Sequence, residues 1–145
     1  MRSMSIIVPA LAVAAGSLAA CALAPEDSDA QAERVYGQTW IAEEVHGLPI
    51  AGGVEPSLIF NPDGKVSGHA GCNGYFGSVI IDGEAMSFGN LGATQKLCPE
   101  PTMSQEGKLL QALDRTRGYR IEGSDLELLD GAGTTLVRFR TESGA

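Results

Sequence analysis

Between Gly68 and Gly77 a glycine stands at every third position: Gly68, Gly71, Gly74 and Gly77. Glycine weakens helix and strand interiors alike, so this stretch is not expected to form an ordinary element. It suits a backbone that turns sharply, takes positive φ or passes close beneath another segment. Asn73-Gly74 within it is a strong tight-turn signal, and Tyr75-Phe76 supplies aromatic anchors for a core. Cys72 lies in the same stretch, and Cys98 follows 26 positions later, beside Pro99 and Pro101. Neither segment has a long periodic run to hold it unaided. The two are therefore expected to be stapled by a Cys72–Cys98 disulfide; two buried free thiols are the alternative.

The chain has 145 residues, enough for one domain with a real core and too few for two. Its net charge of −8 excludes the basic face that a nucleic-acid partner needs.

The N-terminus opens with Arg2 as its one charge, followed by an uncharged run from Ile6 to Ala20 rich in Ala, Val and Leu. That run is shorter than the roughly 20 residues of a membrane-spanning helix and fits the apolar part of a signal peptide. Residues 1–20 are read as that signal peptide. Leu18-Ala19-Ala20-Cys21 resembles the lipobox of bacterial lipoproteins, in which the cysteine is lipidated and becomes the mature terminus. The competing reading is cleavage after Ala22-Leu23-Ala24, which would leave Pro25 directly after the cut. Assigning Cys21 to lipid leaves Cys72 and Cys98 as an even pair. From Ala22 to about Arg34 the chain is Ala, Ser, Pro and acidic residues, too polar to order itself. Residues 21–35 thus read as a lipidated cysteine and a flexible tether, reaching roughly 20 Å.

Beyond it, short strands separated by turns dominate. Thr39–Val45 reads as a strand ended by His46-Gly47-Leu48-Pro49. Pro56–Phe60 and Lys65–His69 flank Asn61-Pro62-Asp63-Gly64, where proline presets one turn residue and glycine supplies the left-handed one. Ser78–Ile81 and Ala85–Phe88 flank Asp82-Gly83-Glu84, a second hairpin. Tyr119–Ile121, Asp125–Leu129 and Thr135–Arg140 form a meander, and Arg138 and Arg140 alternate with Val137 and Phe139 as in a sheet with one wet face. Ile59, Val66, Ile80, Met86, Leu126 and Leu128 are expected to fill the interior. The fold class is mainly β (α+β): an antiparallel curved sheet or small barrel with one covering helix.

That helix is Thr102–Thr116, with Met103, Leu110 and Leu113 on one stripe and Glu106, Lys108 and Asp114 between the apolar positions. Thr102 and Gln105 fit a capping box, Arg115 and Arg117 suit the C-terminal dipole, and Gly118 suits a left-handed cap.

In order along the chain stand Trp40, Asp63-Gly64, Val66-x-Gly68, Gly71-Cys72-Asn73, Phe88-Gly89, Ala93-Thr94, Cys98-Pro99 and Met103-x-x-Glu106-x-x-Leu109. Together they resemble the META domain (HslJ-like) family over residues 36–141, with Gly-Cys-Asn and the later Cys-Pro the most specific part. The resemblance implies a barrel-like fold, lipocalin-like in shape, in bacterial envelope proteins that are often lipoproteins linked to stress tolerance and motility. The family has no established catalytic residues to carry over. Gln95-Lys96-Leu97 departs from the Arg-Met-Ala often found there, with a local effect expected.

The residues themselves carry no catalytic signature. His46 and His69 lack partners at metal-ligand spacing, and Cys72 with Cys98 would be only half of a zinc site. Asp82, Glu84, Glu43 and Glu44 read as turn or solvent-face residues, and the glycine stretch lacks the lysine of a phosphate-binding loop. A non-enzymatic envelope lipoprotein domain is expected, without cofactor or metal. It would be held to the membrane through lipid on Cys21, on the outer-membrane or periplasmic side, and would bind an envelope protein. Secretion to the periplasm is the alternative address, and carriage of a small apolar ligand inside the barrel the alternative function.

Overall fold

The computed structural model describes Gly16 and residues 26–142. The signal-peptide reading of residues 1–20 and the lipidation of Cys21 lie outside the described residues. Eleven elements follow in order: α1 Glu26–Val35, β1 Thr39–Val45, β2 Leu48–Pro49, β3 Ser57–Phe60, β4 Lys65–His69, β5 Gly74–Asp82, β6 Ala85–Ala93, α2 Thr102–Arg115, β7 Gly118–Glu122, β8 Asp125–Leu129 and β9 Thr135–Thr141.

All strand pairs are antiparallel, in the order β2-β1-β3-β4-β5-β6-β7-β8-β9, and β1 also pairs with β9. Hydrogen bonding therefore runs around a ring, with β2 as a flap on β1. Closure through β1–β9 removes most of the free edge that an open sheet would present, leaving β6 beyond Met86 unpaired on its β7 side among the described residues. The weakest joint is β6–β7, where Ala85↔Gly118 is the paired position, flanked by bonds from Met86 N to Arg117 O and from Tyr119 N to Glu84 O. Helix α2 packs beside β6, β1 and β9.

Alternation along the strands sends Trp40, Leu58, Phe60, Val66, Met86, Leu126, Leu128 and Phe139 into the core. The Phe60 and Phe88 rings meet at 6.1 Å in a tilted arrangement, a favourable geometry for aromatic pairs. Of the six expected interior residues, Val66, Met86, Leu126 and Leu128 are buried, but Ile80 is 70% exposed and Ile59 only half-buried. In both cases the adjacent residues, Val79 and Leu58 with Phe60, take the inward positions, because a one-residue shift exchanges the two faces. Outside, Arg138 pairs with Glu43 and Glu44, Arg140 with Glu43 and Asp125, and Arg120 with Glu127. These solvent-screened pairs are each worth about 1 kcal/mol or less.

Several local expectations are corrected. The expected tether contains helix α1 over residues 26–35. Val35 is fully buried and its carbonyl accepts from Trp40 Nε1 at 2.9 Å, while the Arg34 guanidinium donates to Gly123 O at 2.5 Å. The polar composition misled because only the helix end needs apolar contact to be held. Helix α2 has no capping box: Pro101 stands at its N-cap, Ser104 N donates to Glu100, and Gln105 instead exchanges hydrogen bonds with the Ala51 backbone. Gly118 is not a cap but the first residue of β7, and Thr116 ends the helix in extended conformation. Arg117 does serve the C-terminus, donating to Asp114 O and Thr116 O. The glycine stretch is two strand ends joined by residues 70–73, so Asn73-Gly74 is not the centre of a tight turn. Tyr75 points inward as expected of an anchor, whereas Phe76 is 60% exposed.

Candidate functional site

The β4–β5 connection is where the sequence signature gathers. Ala70 N donates to Asn73 O at 2.8 Å to close the loop, and Gly71 holds a φ of 123°, a conformation that side chains rarely take. Gly68 serves a different purpose. A Cβ there would stand 2.0 Å from Ser57 O, because Tyr75 crosses above it to donate its hydroxyl to that same oxygen at 2.7 Å. Burial raises the Tyr75 phenol well above its usual range, so it remains a donor.

Glu106 of α2 reaches this loop from the other side. It is only 5% exposed, and its Oε2 accepts from Cys72 N at 3.0 Å and Asn73 N at 2.7 Å. Its Oε1 accepts from Asn73 Nδ2 at 2.6 Å. Asn73 then passes the connection on: its Oδ1 accepts from Thr94 Oγ1 at 2.9 Å and Lys96 N at 2.6 Å, and its Nδ2 also donates to Lys96 O at 3.1 Å. The disulfide joins Cys72 to Cys98 at an S–S distance of 2.00 Å and a Cα separation of 5.9 Å. One helix carboxylate, one asparagine and one disulfide thus hold the β4–β5 loop, α2 and the strap of residues 94–98 together.

Burial alone would raise the Glu106 carboxyl. The Asn73 side chain and the Asn73 and Cys72 amides outweigh it and hold Glu106 below the ordinary carboxylate range. Charge-assisted bonds of this kind are stronger than neutral ones, and they offset the several kcal/mol that removing a carboxylate from water costs.

The sequence located Cys72 and Cys98 and their bond, but it placed Glu106 among the polar positions of α2. The buried face is Glu106, Leu109, Ala112 and Leu113, while Met103 and Leu110 are half-buried beside it. The i, i+3 spacing of Glu106 and Leu109 was the available signal. Of the other candidates, His69 Nδ1 accepts from Gly71 N at 3.2 Å, which makes it a turn support. His46 is exposed in the β1–β2 turn at a φ of 50°, far along the chain from His69, and the two are not brought together into a site. Glu43 and Glu44 serve the outer ion pairs, Asp82 ends β5 and Glu84 lies in the next turn. Among the described residues no group of three or more His, Cys, Asp or Glu is placed to hold a metal ion. Among them also no helix is long and apolar enough to cross a membrane.

Two wide concavities lie on the outside of the ring. One, of about 460 Å³, is lined by Gln31 of α1, Glu84, Arg117, Tyr119 and the β8–β9 loop. The other, of about 550 Å³, lies between α2 and the strap, with Met103 and Leu110 on one wall and Thr94 to Leu97 on the other.

No curated protein matches the chain. Among solved structures, a protein from Burkholderia xenovorans determined by NMR is 26% identical with a TM-score of 0.58, covering 97% of this chain and 99% of that one. A DUF4847 family protein from Bacteroides vulgatus ATCC 8482 is 15% identical with a TM-score of 0.58, covering 74% of this chain and 94% of its own, a likeness of fold alone. A second NMR structure is 18% identical at a TM-score of 0.61. The META domain family model matches residues 33–143, which include every residue of the Cys72, Asn73, Cys98 and Glu106 cluster. By that match, over most of its length, the chain belongs to the META domain family.

Proposed function

We propose that this protein is a lipid-anchored domain of the bacterial cell envelope that acts by binding another protein, without catalysis, in support of the cell surface under stress. The observation that carries this reading is that the chain uses Glu106, Cys72 and Cys98 on one another. Each oxygen of Glu106 is occupied by donors of the β4–β5 loop, and both cysteines are bonded to each other. That arrangement builds a stiff surface and leaves no nucleophile or free acid–base pair within the cluster. The packing of Trp40, Phe60, Met86 and Phe139 inside the ring favours this over carriage of an apolar ligand there. With Cys21 acylated, only residues 22–25 separate the anchor from α1, a reach of about 18 Å at most from Cys21 to Glu26. The ring would then sit close to the lipid rather than on a long tether.

Mass spectrometry of the native N-terminus, with membrane fractionation of wild type and Cys21→Ser, tests the anchor. A diacylated or triacylated cysteine and release of the variant are expected; an unmodified terminus elsewhere overturns it. Native mass spectrometry of the exported protein tests the carrier, since a co-purifying apolar molecule inside the ring would replace the proposed reading.

A further inference from the structure

The concavity between α2 and the strap does not end at Ala93. A second one of about 240 Å³ continues it, sharing Ala93 and Leu110 and adding Leu91, Gly92 and Asp114. The two form one groove along the outer side of α2, with Leu91, Ala93, Met103 and Leu110 as its apolar surface. From Met103 to Asp114 the helix extends about 16 Å at its rise of 1.5 Å per residue. About five residues of extended chain cover that length.

One wall of the groove is a strand edge. Thr94 N donates to Gly74 O, so by the alternation of an antiparallel pair the amide and carbonyl of Ala93 point away from β5. They face the side where β6 has already parted from β7, whose paired position is back at Ala85. The other wall feature is Leu97, 90% exposed on a strap that is fixed on both sides by Asn73 and the disulfide. A large apolar side chain in water contributes nothing to the core, and on a backbone pinned at Lys96 and Cys98 it offers contact with little backbone ordering on binding. The ends of the groove carry opposite charge: Lys96 beside Met103, Asp114 beside Leu91. Among the described residues neither side chain has an ion-pair partner.

We propose that this groove binds an extended, apolar segment of a partner protein as an added strand on β6, with an acidic residue of the segment at Lys96 and a basic one at Asp114. Because β6 runs from the Asp114 end towards Lys96, an antiparallel segment enters with its acidic residue first. The inference rests on the reading of this domain as a protein-binding module and names the partner's chemistry.

The test uses the full chain carrying Cys21→Ser, which leaves residues 26–142 unchanged, and the capped peptide Glu-Val-Thr-Val-Lys with its reversal Lys-Val-Thr-Val-Glu. Titration followed by amide chemical shifts is expected to saturate below about 1 mM peptide, with shifts at Ala93, Lys96, Leu97, Met103 and Leu110. Leu97→Ala should weaken binding about tenfold at an unchanged melting temperature, because that side chain is already in water. Lys96→Glu should weaken the first peptide about threefold and favour the reversed one. Failure to saturate, shifts confined to other faces, or equal affinity for both peptides would overturn the proposal. Concentration-dependent shifts at the same residues without peptide would overturn it in favour of a second copy of this chain. None of these outcomes bears on the lipid anchor, which the N-terminal mass decides separately.

Discussion

Glu106 and Asn73 are joined by two hydrogen bonds: the Asn73 amide donates to Glu106 Oε2 at 2.7 Å, and Asn73 Nδ2 donates to Glu106 Oε1 at 2.6 Å. Residues 33 positions apart in sequence are joined this way beneath the disulfide. Glu106→Ala would leave the Asn73 donors and Cys72 N without their acceptor. A loss of about 3 kcal/mol is expected in chemical denaturation, since buried donors left unpaired cost their full desolvation. Glu106→Gln should recover only part of it, because its amide nitrogen would face Asn73 Nδ2.

Acid should reveal the same contact. The Glu106 carboxyl is held below its ordinary value of 4.5, so its contribution is fully present above that pH and disappears as pH falls through the lower, folded value. Unfolding free energy followed from pH 7 downwards should decline more steeply below about pH 4.5 in wild type than in Glu106→Gln. Parallel curves would remove Glu106 as the cause.

Reduction of the Cys72–Cys98 bond is expected to lower stability by about 3.5 kcal/mol, the chain-entropy value for a closed loop of this length. Thiol labelling of the denatured, unreduced domain should modify neither cysteine. Labelling of both would contradict the bond.

Two glycines should respond in opposite directions to alanine. Gly68→Ala drives a methyl group into Ser57 O, a backbone atom that cannot swing aside, and a loss of about 2–3 kcal/mol is expected. Gly107 lies on the exposed face of α2 with nothing within 4 Å of an added Cβ. Gly107→Ala should raise stability by about 1 kcal/mol, the helix-propensity difference, read as a higher melting temperature.

Local patterns along the chain were enough for the strand count after Pro56, the turns at Asp63-Gly64 and Gly83, the existence of α2 and the pairing of Cys72 with Cys98. Each depends on local chemistry: period-two alternation, turn residues with fixed φ preferences, or cysteines placed beside backbone breakers that need a staple. It took long-range packing to close β1 on β9, to turn Ile80 to water and Val79 to the core, and to hold polar residues 26–35 as a helix through Val35 and Arg34. The same packing decided the role of Glu106. By helical pattern it is one more charged residue, named in the sequence only within Met103-x-x-Glu106-x-x-Leu109 and with no role attached; it becomes the centre of the cluster because α2 packs against the loop that presents the Cys72 and Asn73 amides. Long-range placement of donors around a carboxylate leaves no periodic trace, since the acceptor and its partners belong to different elements whose meeting is set by the ring.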